Sequence, residues 1–303
     1  MEGHIPVLKA SVLETFKDVR GWLLDGTFGG GGHTQALLEQ NPSLNIIGFD
    51  VDPEAKLRAE ILKKQFPKRF EFYPLNFSEL EQLGKTFDGV LLDLGVSSFQ
   101  LDDAQRGFSF MKEGPLDMRM NPNAGVSASV FLKTATPEEL EMAIRDYGEE
   151  PQWKAVVRYI LNARETQDWT TTTQFVNALL EHTPLARSKK RGIHPATRVF
   201  QGIRIAVNDE LNHLEKGLIS AFNALNQGGI LAVISFHSLE DRIVKRHFYE
   251  WCGRSTSRFD EQPRQLKTVS AELLSRKPIT ATDEELNDNP RARSAKLRIL
   301  RKL

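Results

Sequence analysis

The stretch Leu23-Leu24-Asp25-Gly26-Thr27-Phe28-Gly29-Gly30-Gly31-Gly32-His33 decides the fold of this chain. Its apolar start predicts a buried strand, its glycines predict a tight loop, and a helix is predicted over residues 33–39. Glycine allows positive φ and lets a ligand approach bare backbone. The start of the helix offers unpaired N–H groups to that ligand. This order is typical of the first strand, loop and helix of a doubly wound α/β domain.

A second acid supports the same interpretation. Asp50 ends the apolar run 46–49 and lies 25 residues after Asp25, near the distance at which such folds place an acid on a ribose hydroxyl pair. The third glycine of a dinucleotide fingerprint is absent, because Thr34 takes its place. The loop therefore favours S-adenosylmethionine over a nicotinamide cofactor, with Asp25 expected to meet its amino-acid end. A glycine-rich turn without a ligand is the alternative.

Composition sets limits on the class of protein. The chain has 303 residues, no net charge and one cysteine, Cys252, which excludes disulfides and a cysteine metal cluster. No apolar run reaches 18 residues, so a membrane span is not expected. The N-terminal residues do not resemble a secretory signal. These features predict a cytoplasmic protein.

Two windows are rich in basic residues and free of acids. The first lies between Glu181 and Asp209 and the second runs from Arg291 to Leu303. A solvated charged face is the ordinary explanation for such windows. Two of them in a neutral chain favour contact with nucleic-acid phosphates.

The order of apolar segments predicts two parts. Strand-like runs at 22–24, 46–49, 70–73 and 89–92 alternate with helical segments, which indicates a parallel sheet. Residues 105–195 show no strand pattern and are predicted to be an inserted helical domain between sheet segments 1–104 and 196–303. A long helix is then predicted over 195–225, ended by Gly228-Gly229. A buried strand over 230–236 and an edge strand over 295–300 complete the predicted sheet, with a polar, extended or mobile excursion at 253–290.

The chemistry is predicted at the carboxyl ends of the strands, where open α/β sheets bind ligands. Phe77, after the third strand, is placed to lie against adenine, although core packing is the simpler use. Asp93 ends the fourth strand, and either this residue or backbone carbonyls near it are predicted to accept a hydrogen bond from an amine that receives the methyl group. Asp117 and His237 lie in further segments dense in functional residue types and are weaker candidates for lining the cavity. No ligand spacing supports a metal site.

Taken together, these segments resemble the bacterial 16S ribosomal RNA cytosine-N4 methyltransferases, the RsmH or MraW family. The resemblance runs from His4-Ile5-Pro6-Val7-Leu8 through the glycine loop and Leu92-Asp93-Leu94-Gly95-Val96-Ser97-Ser98 to Asn289-Pro290-Arg291-Ala292-Arg293-Ser294. It implies a Rossmann-like class I S-adenosylmethionine-dependent methyltransferase domain with an inserted all-helical domain. The implied product is N4-methylcytidine in the decoding region of 16S rRNA, made on the assembled small ribosomal subunit. The inserted domain and the first basic window are then expected to grip rRNA.

The resemblance also implies which residues hold the cofactor. They are Gly31, Gly32, His33, Asp50, Phe77, Asp93 and Gln100, of which Gln100 is suggested by the resemblance alone. Phe99 and Gly202 stand where the family often has Pro and Ala, and Gly202 inside a helix is expected to cost about 1 kcal/mol relative to Ala.

Two other functions remain open at this point. A DNA amino-methyltransferase usually carries an Asn/Asp-Pro-Pro-aromatic turn at the fourth strand end, and Asp93-Leu94-Gly95-Val96 differs from it. A non-catalytic ribosome-assembly factor that retained the cofactor pocket would bind rRNA without turnover.

Overall fold

The computed structural model describes residues 5–187, 194–256 and 267–303. Contacts divide the chain into two compact units, one formed by Met1–Gly95 with Leu211–Leu303 and the other by Val96–Glu210. The second unit therefore begins before the predicted boundary at residue 105 and ends after the predicted one at 195. His4 and the basic residues 189–191 lie outside the described residues.

The first unit is built on a seven-stranded sheet in the order β3-β2-β1-β4-β5-β7-β6. The strands β3, β2, β1, β4 and β5 are parallel, and β7 runs antiparallel to both β5 and β6. The strands are β1 (Gly21–Asp25), β2 (Leu44–Phe49), β3 (Phe70–Tyr73), β4 (Phe87–Asp93), β5 (Leu225–Ser235), β6 (Ala271–Leu273) and β7 (Lys296–Lys302). The predicted doubly wound α/β sheet is confirmed. The strand order reverses between β1 and β4, so their carboxyl ends form the crevice where such sheets bind ligands.

Helices cover both faces of this sheet because alternate strand residues are apolar on each side. Leu23 and Ile46 face a core that includes Phe16, Leu37 and Leu62. On the other face, a second core includes strand and helix side chains such as Leu24, Ile47, Leu218 and Phe248. The helices of this unit are α1 (Lys9–Phe16), α2 (Gly32–Gln40), α3 (Pro53–Gln65), α10 (Glu210–Ala224), α11 (Ser238–Trp251) and α12 (Asp283–Asp288), with a 3₁₀ segment at Phe77–Leu83; Glu210, the first residue of α10, belongs to the second unit.

Two predictions for the segment from residue 195 to the end of β5 are wrong. The predicted helix over 195–225 is two helices, α9 (Thr197–Asn208) and α10, because Asp209 adopts a left-handed conformation with φ 49° that interrupts the helix. Gly228 and Gly229 do not end a helix but lie inside β5, where Phe87 pairs with Leu225 and Gly89 with Ile230. The extra residues form a bulge, which Gly228 permits with φ 81°.

The polar excursion and the last strand also differ from prediction. The described part of 253–290 contains β6 and α12, so it is not wholly extended. Strand β7 is not at the edge of the sheet, because the short β6 pairs with its outer side. Residues 257–266 of the excursion lie outside the described residues.

Helices are the regular secondary structure of the second unit's described residues, which also include a long loop at 107–127 and a single bridge between Pro115 and Thr171. Its core includes Leu132, Ile160 and Phe175. Its other helices are α4 (Ser98–Asp102), α5 (Ala128–Thr134), α6 (Pro137–Glu141), α7 (Trp153–Ala163) and α8 (Thr172–His182), with a π-helical turn at Met142–Tyr147. Among the described residues of either unit, no helix is both long and apolar enough to cross a lipid bilayer.

Candidate active site

The glycine loop is tied to the end of β2. The Gly29 N–H donates to Asp50 Oδ2 at 2.6 Å, and the Asp52 N–H donates to Asp50 Oδ1 at 2.8 Å. Burial raises the pKa of Asp50 to about 6, and the two amide donors offset part of this increase. Each carboxylate oxygen has two lone-pair sites, so Asp50 retains acceptor capacity for a ribose hydroxyl.

The glycines of the loop are required by close packing. Gly31 has φ 74°, and a Cβ there would lie 2.5 Å from the ring of Phe28. A Cβ on Gly32 would lie 2.6 Å from Pro6 Cγ. The loop is therefore closely packed between an aromatic ring and the N-terminal segment. The helix α2 begins with no side-chain cap on its N–H groups. Those N–H groups need a partner from solvent or from a ligand.

Asp25 is buried beneath the loop and accepts hydrogen bonds from Thr27 and Thr34. It is 2% exposed, its Oδ2 accepts from Thr34 Oγ1 at 2.6 Å and its Oδ1 accepts from the Thr27 N–H at 3.3 Å. Burial raises its pKa, and the Thr34 hydrogen bond offsets part of this effect. Each oxygen of Asp25 thus accepts one hydrogen bond within this segment, and its contact with the amino-acid end of the cofactor remains a prediction. Thr34, which stands where a dinucleotide fingerprint has glycine, is the partner that makes this buried acid tolerable.

His33 and Asp93 meet where β1 and β4 end. The His33 Nε2 lies 3.6 Å from Asp93 Oδ2, and the Asp93 N–H donates to Thr27 Oγ1 at 2.6 Å. Both the His33 Nε2 and the Asp93 Oδ1 are buried and have no hydrogen-bond partner. Buried polar atoms without partners are rare, so this pair marks a place for a ligand.

Phe77 is fixed between the loop and α10. A Cβ on Gly217 would lie 2.2 Å from Phe77 Cδ2, and a Cβ on Gly26 would lie 3.0 Å from Phe77 Cβ. The ring is partly buried against the second core. Core packing therefore accounts for one side of Phe77, and the predicted contact with adenine remains a prediction.

His237 follows β5 and caps α11. Its Nδ1 accepts from the Glu240 N–H at 3.4 Å, while Glu240 Oε2 accepts from the N–H groups of Phe236 and His237 at 2.8 and 3.2 Å. The His237 Nε2 is buried without a hydrogen-bond partner. Glu240 was not among the predicted site residues, although a carboxylate three residues after the capping residue is the signature of a capping box.

Two predicted site residues lie in the second unit. Arg119 donates to both carboxylate oxygens of Asp117, at 2.8 and 2.6 Å. Burial opposes ionisation of Asp117, but Arg119 outweighs it and holds the pKa of the carboxyl below its usual value. Gln100 is 6% exposed, and its Oε1 accepts from the Ser97 N–H at 2.9 Å in the capping box of α4.

The cations of the second basic window are used inside the first unit. Lys296 and Arg298 both pair with Asp241, at 3.2 and 2.7 Å. Lys302 Nζ donates to three backbone carbonyls at the end of α10 and the start of β5. In the first window, Arg204 pairs with Glu210 at 2.8 Å. These groups have partners within their own units, and the contact of the two basic windows with phosphates remains a prediction.

Comparison with known proteins identifies the family of this chain. The model of the MraW methylase family matches residues 1–303. The chain belongs to the MraW methylase family. It is 44% identical over 309 residues to the ribosomal RNA small subunit methyltransferase H of Heliobacterium mobile, an alignment that covers 99% of each chain. The enzyme of the same name from Pseudoalteromonas atlantica is 45% identical, covering 93% of this chain and 92% of its own. A solved rRNA methylase from Streptococcus thermophilus is a distant match, with 9% identity and a TM-score of 0.42 over 97% of this chain and 93% of that one.

The protein is thus an S-adenosylmethionine-dependent methyltransferase. The site suits this cofactor, because its carboxylates complement the positive sulfonium and ammonium groups and Asp50 retains acceptor sites for a ribose. The cofactor supplies an electrophilic methyl group when bound.

Proposed function

We propose that this protein transfers a methyl group from S-adenosylmethionine to the N4 amine of a cytidine in the decoding region of 16S rRNA, with the assembled small ribosomal subunit as substrate. Its relatives are named as small-subunit rRNA methyltransferases and are 44–45% identical over most of the chain. The place of action would be the bacterial cytoplasm, where these subunits are made.

One observation carries the choice of an amine as the acceptor. Asp93 Oδ1 is a buried carboxylate oxygen without a hydrogen-bond partner at the end of β4. An exocyclic amine is a poor nucleophile because its lone pair is delocalised into the ring. A carboxylate that accepts one of its N–H bonds favours the localised pair and holds the nitrogen for in-line attack.

We assign the binding of the cofactor to Gly31, Gly32, His33, Asp50, Phe77, Asp93 and Gln100. Asp93 is the main candidate for contact with the reacting amine, and His237 lies one strand away, after β5. Asp117 is the weaker candidate, because its pairing with Arg119 favours the ionised, fixed carboxylate over a group that exchanges protons. The helical unit 96–210 is proposed to contact rRNA.

The test is methyl transfer from labelled cofactor to small subunits that lack this modification, with naked rRNA and duplex DNA in parallel. Label in N4-methylcytidine on subunits alone supports the proposal. Label on DNA supports an amino-methyltransferase of DNA, and cofactor binding without transfer supports a non-catalytic assembly factor.

The Asp93→Ala variant is expected to lose transfer by at least about a hundredfold, since positioned acid–base groups contribute about 10²–10⁴-fold. Its matched control is Asp18→Asn, a change of an exposed acid in the same unit that is expected to leave transfer unchanged. Wild-type transfer by Asp93→Ala would remove this residue from the mechanism.

A further inference from the structure

Two unpartnered atoms lie at the carboxyl ends of neighbouring strands, and a third lies close to one of them. Among the described residues, five buried side-chain nitrogen or oxygen atoms lack a hydrogen-bond partner. Asp93 Oδ1 belongs to the last residue of β4, and His237 Nε2 belongs to a residue two positions after the end of β5, the next strand in the sheet. The third atom is His33 Nε2 in α2, which lies 3.6 Å from Asp93 Oδ2. Since leaving such atoms unpaired is costly, their presence at these strand ends indicates a ligand that supplies their partners.

The position of the His237 ring determines where its proton lies. Its Nδ1 faces the N–H of Glu240, at 3.4 Å, and so acts as an acceptor. In a neutral imidazole one nitrogen accepts and the other carries the proton. The ring proton is therefore on Nε2, and His237 presents an N–H donor.

The Glu240 side chain favours the same tautomer. This residue is 3% exposed, and Oε2 is held by two backbone N–H groups at the end of β5. The other oxygen, Oε1, lies 3.1 Å from His237 Nε2. The Nε2–H does not point at this oxygen closely enough to form a hydrogen bond. The nearby negative charge still stabilises a proton on Nε2, and the N–H remains available to another acceptor.

We propose that His237 donates its Nε2–H to the ring nitrogen N3 of the target cytosine, and that Glu240 is the positioning residue that fixes this tautomer. This inference rests on the proposed function. Cytosine presents an amine donor beside an N3 acceptor, and the site presents the complementary pair, Asp93 Oδ1 as acceptor and His237 Nε2–H as donor.

The pairing selects the base as well as orienting it. Uracil carries an N3–H donor and an O4 acceptor on the same edge, so both contacts would oppose like with like. A site that leaves a buried donor unpaired rejects the wrong ligand more strongly than one that only loses a contact. His237 is thus a specificity-determining residue, distinct from the group that holds the amine.

The first test is the tautomer of His237, measured by long-range ¹H–¹⁵N correlation on the full-length protein without RNA. The signal is assigned with the His237→Asn variant, in which asparagine still caps α11. The Nε2–H form is expected in the wild type, with a measurable shift toward the Nδ1–H form in Glu240→Gln. Glutamine retains the capping box, and Glu250→Gln, an exposed change on the same helix, is the control. A wild-type Nδ1–H tautomer would overturn the proposal.

The second test uses small subunits reconstituted with ligated rRNA, in which the mapped target is cytidine or 3-deazacytidine. The analogue retains the amine and replaces N3 by C–H. The wild type is expected to prefer cytidine by about 10- to 100-fold, the scale of a buried donor that loses its acceptor. In His237→Asn this preference is expected to fall to about 1–2-fold, and an unchanged preference would refute the assignment.

The two tests separate the inference from the proposed function. If wild-type protein methylates no cytidine on subunits, the proposed function fails and the base contact fails with it. If cytidine is methylated but His237→Asn keeps the wild-type preference for cytidine over 3-deazacytidine, the proposed function stands and the role of His237 is overturned.

Discussion

Gly202 offers a sharp test, because helix propensity and packing predict opposite signs. Ala is favoured over Gly in a helix interior by about 1 kcal/mol. In the structure, however, a Cβ on Gly202 would lie 2.0 Å from the carbonyl oxygen of Ala143 and 2.8 Å from the nitrogen of Gly148. Both are backbone atoms, one in the neighbouring π-helical turn and one in the residue that follows it, and they cannot rotate away, so α9 would have to move.

This movement disturbs hydrogen bonds as well as packing. Gln201 Nε2 donates to the Tyr147 carbonyl at 3.1 Å, and Arg198 donates to the Glu149 carbonyl at 2.9 Å. Overpacking costs about 1–3 kcal/mol, and each weakened hydrogen bond adds up to about 1 kcal/mol. After the propensity gain of about 1 kcal/mol is subtracted, Gly202→Ala is expected to lower the free energy of unfolding by about 0–4 kcal/mol, with a central value of about 2 kcal/mol.

Urea unfolding followed by circular dichroism measures this change, with the m-value checked for constancy. The matched control is Ala206→Gly in the same helix, which is expected to cost about 0.5–1 kcal/mol from propensity alone. A Gly202→Ala protein more stable than wild type would refute the packing argument and restore the expectation drawn from sequence.

Three further predictions concern the cofactor site. Burial raises the pKa of Asp50 to about 6, so the ionised carboxylate that accepts hydrogen bonds is lost as pH falls. The cofactor Kd measured by calorimetry is therefore expected to rise about tenfold between pH 7 and pH 5. A Kd that does not change with pH would exclude Asp50 from binding. Thr34→Val removes the 2.6 Å hydrogen bond to buried Asp25. The free energy of unfolding measured in urea is expected to fall by about 1–3 kcal/mol. An unchanged urea midpoint of unfolding would show that Asp25 needs no partner. Gly217→Ala would place a Cβ 2.2 Å from Phe77 Cδ2, so this ring must move, and the overpacking is expected to lower the free energy of unfolding by about 1–3 kcal/mol. The cofactor affinity of the folded variant is expected to fall several-fold, and unchanged affinity would leave Phe77 as a core residue only.

The strands and helices with strong periodicity could be predicted from sequence. The glycine loop, the parallel strands and the position of Asp50 after β2 follow local rules, because alternation, glycine and the ends of apolar runs are properties of neighbouring residues. The break at Asp209 could not be predicted in this way. Any residue there interrupts a helix once its backbone is left-handed, and no pattern among the neighbouring residues marks that conformation.

The predicted roles of charged residues were least reliable. The C-terminal basic window looks like a phosphate patch in sequence, but Asp241 lies 55 and 57 residues earlier than the lysine and arginine that it binds. Long-range partners of this kind leave no mark in a local pattern. Glu240 is the opposite case, since its spacing from His237 was visible and its significance was not.

The sequence by itself determined the family, the cofactor class and the doubly wound sheet, because these depend on motifs whose residues are close together in the chain. Only the tertiary structure decided that Asp25 is buried and that Gly202 lies directly against a neighbouring backbone. It also decided that His33, Asp93 and His237 each carry a buried atom without a hydrogen-bond partner. The physical reason is that burial and hydrogen-bond satisfaction depend on what surrounds an atom in space, and residues far apart in sequence supply most of those surroundings.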